Sequence, residues 1–438
     1  MPDHFVLGVA AFARRSFANR LALCLVIVIS SALPFATSCA EPLTLEQAWG
    51  RAEHTNPDLR AAEAGVVAAE GQLKDTQGAL WNNPQMASDL ARGQATQTGV
   101  PGQTFAQWHI GVAQTFELAG QHTYRRQAAQ FEREATTEKI AELRRQIRVE
   151  VEQRFTRVLA LQRRVEVERD ALKLIEDAAA AVRKRVVAGE DSRLDGNLAS
   201  VEAERALNQL TLLGEQLLQA RADLATLIQL PPNDLPEAVG ELEVNRSGYT
   251  LQALLDSAAN RPLFRALNFR ERAARNKLAL ERASAYPDVT IGVTAGREGP
   301  SDSRNNLTML SISVPIPLFK RNAAGVGRAS TELTQTQIER QTATRDTEAQ
   351  VREIWQRLVS LRARVDRLTE SVLPKLDENQ RLSTVSYRNG EIGLLQLLLV
   401  SRQALDARRD VLDARAELRL TTIALEAAAG WLSDGSRK

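Results

Sequence analysis

Residues that favour helix dominate two long uninterrupted stretches of this chain. Between Gly120 and Val187 there is no proline and no interior glycine, and alanine, leucine, valine, glutamate, arginine and glutamine prevail. These residues are strong helix formers, so the stretch predicts one helix about 100 Å long at 1.5 Å per residue. A second long helix is predicted from Asn322 to Arg388, with a kink at Pro374 because proline cannot donate the helical hydrogen bond.

Shorter helical stretches flank each long one. They cover residues 57–81 and 192–229 in the first half, and residues 262–285 and 393–429 in the second. Gly189 and Gly390 mark the turns between a long helix and the next shorter one. In each half the two shorter helices together approach the length of the long one. This pattern predicts a wall of parallel rods rather than a single compact core.

Two segments alternate between apolar and polar residues at every second position. The apolar positions are Trp108, Ile110 and Val112 in the first half, and Ile291, Ile312 and Val314 in the second. A period of two predicts strands with one apolar face. Each half is therefore expected to hold one β-hairpin, at about residues 84–117 and 287–317, with polar loops at residues 92–104 and 297–306.

Each hairpin has two interpretations. Hairpins of this kind cover hydrophobic cores in soluble proteins, and strands of about 9–11 residues with one apolar face also cross membranes. Four strands are too few for a single-chain barrel, which needs about eight, and lipid does not tolerate open strand edges. If these strands cross a membrane, several chains must share one barrel, and three chains would supply about twelve strands.

The chain repeats itself once, at about half its length. The segment "LTLEQAWGRAEHTNPDL" at Leu43–Leu59 returns as "YTLQALLDSAANRPLF" at Tyr249–Phe264. Thr44 aligns with Thr250, and the glycine turns recur at matching places. The chain is therefore expected to contain two structural repeats, at residues 41–240 and 241–432, followed by a tail at residues 433–438.

Residues 1–40 have the features of a secretory signal. Three arginines precede an apolar run from Leu21 to Leu33, and small residues follow up to Cys39 and Ala40. The run is too short for a spanning helix, which needs about 20 residues. Two outcomes stay open: ordinary cleavage after Ala40, or cleavage before Cys39 with lipidation of that cysteine.

Composition argues against several functional classes. Both cysteines lie within residues 1–40, so no disulfide is expected in the exported chain. The net charge is +2, and the three arginines and one aspartate of residues 1–40 account for it, which leaves no basic surface for nucleic acid. His54, His109 and His122 are widely spaced, so no metal site, cofactor or catalytic centre is predicted and the chain is not expected to be an enzyme.

The repeated segment and the second turn are similar to those of one family. "LTLEQAWGRAEHTNPDL" resembles the opening helix, and "SYRNGEIGLLQLLLVSRQAL" the periplasmic tip, of the outer membrane efflux family, the TolC-like exit ducts. The resemblance covers nearly all of residues 41–432. It implies a mainly α fold with a small β part. Long helical hairpins form an α-barrel tube, and four transmembrane β-strands per chain contribute to a trimeric twelve-stranded β-barrel.

Two further segments resemble the cobalt–zinc–cadmium branch of this family. They are "QTFELAGQHTYRRQAA" from Gln114 and "VPIPLFKRNAAGVGRA" from Val314. The first keeps Gln114, Glu117 and Gly120 of the branch pattern and departs from it at four positions between residues 115 and 122. The resemblance implies a passive homotrimeric duct in outer membrane lipid, with its tube in the periplasm. Such a duct exports divalent heavy-metal cations with a periplasmic adaptor protein and an inner membrane resistance-nodulation-division pump.

By the same resemblance, the functional residues lie at the helix tips. Positions that correspond to the closing constriction are Asp195, Gln396 and Tyr387, and tips that correspond to adaptor contacts are Gly189, Glu190, Gly390 and Glu391. Asp195 keeps the acidic residue of the family and Gln396 does not. Asp195 has two interpretations: a ring of three carboxylates that attracts cations, or a solvated residue at the start of a helix.

Three other functions fit parts of the pattern. A duct of the same fold could carry drugs or other organic solutes, and composition does not separate that duct from a metal duct. A periplasmic adaptor would carry one helical hairpin flanked by strand-rich domains, whereas this chain has two in tandem. A coiled-coil scaffold without a pore would not need a strand pair in each repeat.

Overall fold

The structure is a computed structural model that describes residues 42–97, 100–243, 248, 250–300 and 304–430. All of these belong to one unit, Ala40–Lys438. The predicted signal at residues 1–40, with Cys39, and the tail at residues 433–438 lie outside the described residues.

The described elements follow one order twice. The helices are α1 (Leu45–Thr55), α2 (Pro57–Asp75), α3 (Gln121–Ala188), α4 (Arg193–Leu227), α5 (Leu251–Ala259), α6 (Pro262–Ala283), α7 (Ala323–Arg367), α8 (Leu373–Arg388) and α9 (Leu394–Ala429). The strands are β1 (Pro42–Leu43), β2 (Gln85–Gln97), β3 (Val100–Phe116), β4 (Glu237–Ala238), β5 (Val289–Glu298) and β6 (Asn305–Ser313). The predicted class, mainly helical with four longer strands, is confirmed.

Helix ends follow the capping signals of the sequence. The Thr44 hydroxyl accepts from the backbone N–H of Gln47, and the Gln47 side chain accepts from the Thr44 backbone, which forms a capping box at the start of α1. α3 ends where Gly189 takes a positive φ of 78°, a conformation that glycine adopts without steric cost. The long helix predicted between residues 120 and 187 is therefore confirmed.

The second long helix is interrupted near Pro374, as predicted, but by a π-helical turn at Leu368–Val372. The N–H of Leu373 donates to the carbonyl of Leu368, five residues back. Pro374 then lies in the first turn of α8, where a missing N–H costs little. A π-turn absorbs the lost hydrogen bond while the chain continues as helix.

Helix packing builds each repeat and also joins the two. α3 packs against α4 within the first repeat, and α9 packs against α7 and α8 within the second. α3 also packs against α6 and α9, and both contacts join the repeats. Large apolar clusters lie between α1, α3 and α4 in the first repeat, around Val151 and Leu224, and between α5, α7 and α9 in the second, around Leu254 and Leu358.

A four-stranded antiparallel sheet combines the hairpins of both repeats in the order β2-β3-β5-β6. The register aligns Met86 with Val112, Val112 with Val293, and Val293 with Leu310. These four apolar side chains therefore share one face, and each is at least half exposed. No partner strand lies beside β2 or β6 among the described residues. None of the described helices combines the length and the apolar character that a membrane span requires.

Two predicted boundaries are wrong. α2 ends at Asp75 rather than near residue 81. At this end the Thr76 hydroxyl donates to the carbonyl of Leu73 at 2.7 Å. The predicted loop at residues 92–104 is mostly strand, because β2 and β3 stay paired as far as Gln97 and Val100. Backbone pairing does not require apolar side chains, so the loss of alternation there did not end the strands.

A buried charge cluster joins the repeats in the half of the long helix α3 that lies nearer the strands. Its members are Glu142, Arg145 and Arg261. Glu142 Oε1 accepts from Arg145 at 2.6 Å and from Arg261 at 2.7 Å. The two arginines also donate to the carbonyls of Ala427 and Ala428, at 2.5 and 3.1 Å, and so satisfy the C-terminal carbonyls of α9.

Electrostatics in this cluster favours the ionised carboxylate. Burial alone would raise the pKa of Glu142, but the hydrogen bonds and positive charges of Arg145 and Arg261 outweigh it and lower that pKa. Further along the α3–α9 contact, Arg409 donates to Glu168 at 2.6 Å, and this hydrogen bond raises the pKa of Arg409. Charged contacts therefore join α3 to α9 at several levels.

Candidate functional site

The first helix tip is a closed turn built around Gly189. After α3 ends, the N–H of Gly189 donates to the carbonyl of Val186 at 3.1 Å, and the N–H of Glu190 donates to the carbonyl of Arg185 at 2.9 Å. These bonds satisfy carbonyls that the helix end leaves free. Gly189 and Glu190 are both exposed, so the turn presents its backbone and one carboxylate outward.

Asp195 lies at the third position of α4 and takes part in a capping box. Its backbone N–H donates to Ser192 Oγ at 3.2 Å, and Ser192 Oγ donates to Asp195 Oδ2 at 2.6 Å. The Ser192 backbone N–H also donates to Asp195 Oδ2, at 3.3 Å. The carboxylate therefore has a local structural task at the helix start, in line with the second interpretation of this residue.

The second tip has the same backbone and different side chains. Gly390 has a φ of 76°, its N–H donates to the carbonyl of Tyr387 at 3.1 Å, and Glu391 donates to the carbonyl of Ser386 at 2.8 Å. Gly393 directly precedes α9 and provides no side-chain cap. Gln396, at the same helix position as Asp195, is exposed. The second tip therefore lacks the side-chain cap of the first and the carboxylate at the third helical position.

Arg185 and Tyr387 bring the two tips together. The Arg185 guanidinium carbon lies 5.5 Å from the centre of the Tyr387 ring, a cation–π contact between the repeats. Arg185 also lies 3.1 Å from Asp191 and 3.5 Å from Glu190. The Tyr387 ring packs against a small apolar cluster that contains Val182 and Ala199 from the first repeat and Leu394 from the second.

The structure thus joins Tyr387 to residues that the sequence did not single out. Arg185 and Asp191 flank the glycine turn, and their pairing required the position of the second repeat. One sequence signal was available: a cation one turn before a helix-ending glycine, with two acids directly after it. Tyr387 Oη and Asp191 Oδ2 are both buried, and neither has a hydrogen-bond partner among the described residues.

The described part of the chain holds no cluster of three or more histidine, cysteine, aspartate or glutamate residues that could bind a metal ion. On the sheet, His109 Nε2 lies 2.9 Å from Glu298 Oε1, a pair that links β3 to β5.

Comparison with known proteins gives a consistent picture. The sequence profile of the family described as "Outer membrane efflux protein" matches residues 49–228 and 254–431, and so covers both repeats. The cobalt-zinc-cadmium resistance protein CzcC of Cupriavidus metallidurans is 27% identical over 377 residues, which are 85% of this chain and 87% of that protein.

Three solved structures share this fold. The outer membrane protein VceC of Vibrio cholerae superposes with a TM-score of 0.75 at 18% identity, over 88% of this chain and 96% of that one. CusC gives 0.73 at 18% identity, over 89% and 92%. The open MtrE outer membrane channel of Neisseria gonorrhoeae gives 0.71 at 21% identity, over 88% and 89%.

Proposed function

Because this chain belongs to the outer membrane efflux protein family, we propose that it works as a passive exit duct built from three identical chains. The observation that carries the proposal is the sheet β2-β3-β5-β6, which has an apolar outer face and no partner beside either edge strand among the described residues. Three such sheets joined edge to edge would form a barrel of about twelve strands and leave no open edge in lipid.

Unpaired apolar stripes on the helices support the trimer. Leu194, Leu198 and Val201 are exposed at helical spacing along one face of α4. Leu382 and Val385 are exposed on α8, the helix paired with α9. Since α3 and α9 meet inside the chain, the faces of α4 and α8 remain available to neighbouring copies. An edge-to-edge ring of helical pairs would bury both stripes.

The tips would be the contact points for a periplasmic adaptor protein, which connects the duct to an inner membrane resistance-nodulation-division pump. Gly189, Glu190, Gly390 and Glu391 support this assignment because all four are exposed at the ends of the helical pairs. Asp195, Gln396 and Tyr387 would line the closing constriction. The contact of Arg185 with Tyr387 and Asp191 would hold the two tips of each chain together in the closed duct.

The proposed cargo is divalent metal cations of the cobalt, zinc and cadmium group. The support is the relation to CzcC, which extends over 85% of this chain. A duct does not need tight ligands for the cations, because a site that holds an ion firmly would slow its release. The proposed role includes no catalysis.

Deletion of the gene tests the cargo. Strains lacking the protein are grown on cobalt, zinc and cadmium beside a panel of hydrophobic drugs. Reduced metal tolerance with unchanged drug tolerance is expected. Unchanged metal tolerance with new drug sensitivity would replace the metal duct by a drug duct. Recovery of the protein as a soluble periplasmic monomer would instead favour an adaptor or a scaffold without a pore.

The role of Asp195 needs a matched pair of variants. Asp195→Ala removes both the carboxylate and the capping box, whereas Ser192→Ala breaks the same capping box and keeps the carboxylate. If a carboxylate ring acts on cations, only Asp195→Ala should change cation flux or resting leak through the reconstituted duct. Equal effects of the two variants would leave Asp195 with its capping role alone.

A further inference from the structure

Between β6 and α7 lies a short segment with an unusual surface, residues Ile316–Arg321, here called the apolar turn. Phe319 is 96% exposed, Ile316 76% and Leu318 70%. Scattered apolar side chains are common on protein surfaces, but three large ones within four residues form a continuous patch. The proposed duct gives this patch no task, although it lies at the junction of the barrel strands and the helices.

The apolar turn is held at both ends. The N–H of Leu318 donates to the carbonyl of Ile316 at 2.9 Å, which makes a tight turn centred on Pro317. Beyond it, Asn322 has a φ of 52° and its Nδ2 donates to the carbonyl and the carboxylate of Glu281, at 2.8 and 2.6 Å. The exposure of the turn is therefore a feature of the fold, set by defined hydrogen bonds on either side.

The turn continues the apolar face of the sheet. Leu310 and Ile312 project from β6 on the face shared with the apolar residues of β3 and β5, and each is 67% exposed. β6 ends at Ser313, and the residues that follow it include three more exposed apolar side chains, Val314, Ile316 and Leu318. A bilayer that covers the sheet would therefore reach its edge at this turn.

Two free cations follow the apolar residues directly. Lys320 and Arg321 are exposed, and within the described part of the chain neither makes an ion pair or a side-chain hydrogen bond. The equivalent junction of the first repeat differs. There Arg125 donates to Glu117 at 2.8 and 2.9 Å and stacks 4.0 Å from the centre of the Trp81 ring. Arg125 is therefore paired within the chain, whereas Lys320 and Arg321 are not.

We infer that the apolar turn is a lipid-binding site for anionic phospholipid at the edge of the bilayer. Leu318 and Phe319 enter the boundary between headgroups and acyl chains, and Lys320 and Arg321 bind the lipid phosphate. Apolar side chains next to basic ones are the composition that binds anionic membrane interfaces. The inference rests on the proposed function, because β6 must lie in the bilayer for the turn to reach its edge.

The test uses the full-length protein reconstituted in vesicles. Leu318→Cys carries an environment-sensitive fluorophore, and brominated phosphatidylglycerol or brominated phosphatidylcholine serves as the quencher. Val187→Cys, 90% exposed at the far tip, is the matched control for labelling away from lipid. The background fluorescence is measured on protein that carries no introduced cysteine and has been treated with the same fluorophore. We expect quenching at position 318 only, and stronger quenching by phosphatidylglycerol.

The charges are tested in the labelled protein with Lys320→Ser and Arg321→Ser. Each cation near an anionic surface contributes about 1 kcal/mol, which corresponds to about a fivefold change in relative lipid affinity. Each single variant should therefore lose about fivefold of the preference for phosphatidylglycerol over phosphatidylcholine, and the double variant should lose most of it. A preference unchanged in the double variant would refute the phosphate contact.

Two other results would overturn the site. Quenching at position 318 by aqueous iodide, with none by either lipid, would place the turn in water. Cross-linking from position 318 to a neighbouring copy, with protection from every quencher, would make the turn a subunit contact. Trimer formation and ion conductance are measured on the same vesicles. If trimers and conductance are both lost, the duct proposal fails. If conducting trimers form but position 318 is not quenched by lipid, only the lipid site is refuted.

Discussion

The buried charge cluster and the Arg185–Tyr387 contact both join the first repeat to the second, but they differ in burial. In the cluster, Glu142 is 4% exposed and accepts hydrogen bonds from two arginines. At the tip, the Arg185 side chain is 40% exposed and reaches Tyr387 across 5.5 Å. A buried pair is costly to break because the remaining charge loses its partner, whereas an exposed one contributes about 1 kcal/mol or less.

The two joints lie about 65 Å apart along α3, at 1.5 Å per residue. The firm joint holds the repeats together in the half of α3 nearer the sheet, and the weak joint holds them at the tips. A duct that must stay assembled while its end opens needs this difference, because low local stability permits movement. The following four predictions test the difference, from the largest expected effect to the smallest.

Replacing Glu142 by alanine should have the largest effect. It leaves Arg145 and Arg261 buried without their carboxylate, which is expected to cost about 3–5 kcal/mol. Hydrogen exchange of α3 and the end of α9, measured on the detergent-solubilised protein, would show it. The control is Glu166→Ala, which removes an exposed partner of Arg163 and should cost about 0.5 kcal/mol or less. Similar exchange in the two variants would contradict a firm joint.

Acid should weaken the same joint without a mutation. The pKa of Glu142 is lowered in the folded protein from its ordinary value of 4.5. Its contribution is therefore complete above pH 4.5 and is lost as the pH falls from there through the lower folded pKa. The difference in stability between the wild type and Glu142→Gln should shrink over this range. A difference independent of pH would mean that the charge of Glu142 does not matter.

Leu394→Ala should loosen the tips. Leu394 is buried in the small cluster under Tyr387, and loss of a buried leucine side chain typically costs at least about 2–3 kcal/mol. Faster hydrogen exchange should appear near residues 179–203 and 387–398, with the charge cluster unaffected. Leu395, the next residue, is 72% exposed and supplies the matched control as Leu395→Ala. Exchange that spreads to the charge cluster would show that the two joints are not independent.

Arg185→Ala should have the smallest effect on stability. It removes the contact with Tyr387 and the ion pair with Asp191, together about 1 kcal/mol. The proposed consequence is a larger resting conductance of the reconstituted duct. Lys184→Ala removes an exposed cation from the same helical turn and should leave the conductance at the wild-type level. Equal conductance in both variants would remove Arg185 from the closure of the tip.

Local patterns predicted the elements well because each helix or strand is encoded by neighbouring residues. The proline-free stretch became α3, and the alternation around Ile291 and Ile312 placed both side chains on one face of the sheet. The family predicted from the repeat and the second turn is confirmed by the profile match over both repeats.

Contacts between distant segments could not be predicted in the same way. Glu142 and Arg261 are 119 residues apart, and periodicity carries no information about which charges meet after folding. Arg185 and Tyr387 likewise meet only because α3 lies beside the second repeat. The sequence offered two interpretations of Asp195, and only the position of Ser192 Oγ revealed the hydrogen bonds of its carboxylate.

The π-helical turn at Leu368–Val372 determines the direction in which the side chains after it point around the helix axis. One additional residue in a helical turn rotates the following side chains by about 100° relative to an unbroken α-helix. α3 has no such turn, so the two long helices reach their tips with different phases. The direction in which Tyr387 points is therefore fixed some fifteen residues upstream. Deleting one residue there would act at the tip as a twist about the helix axis.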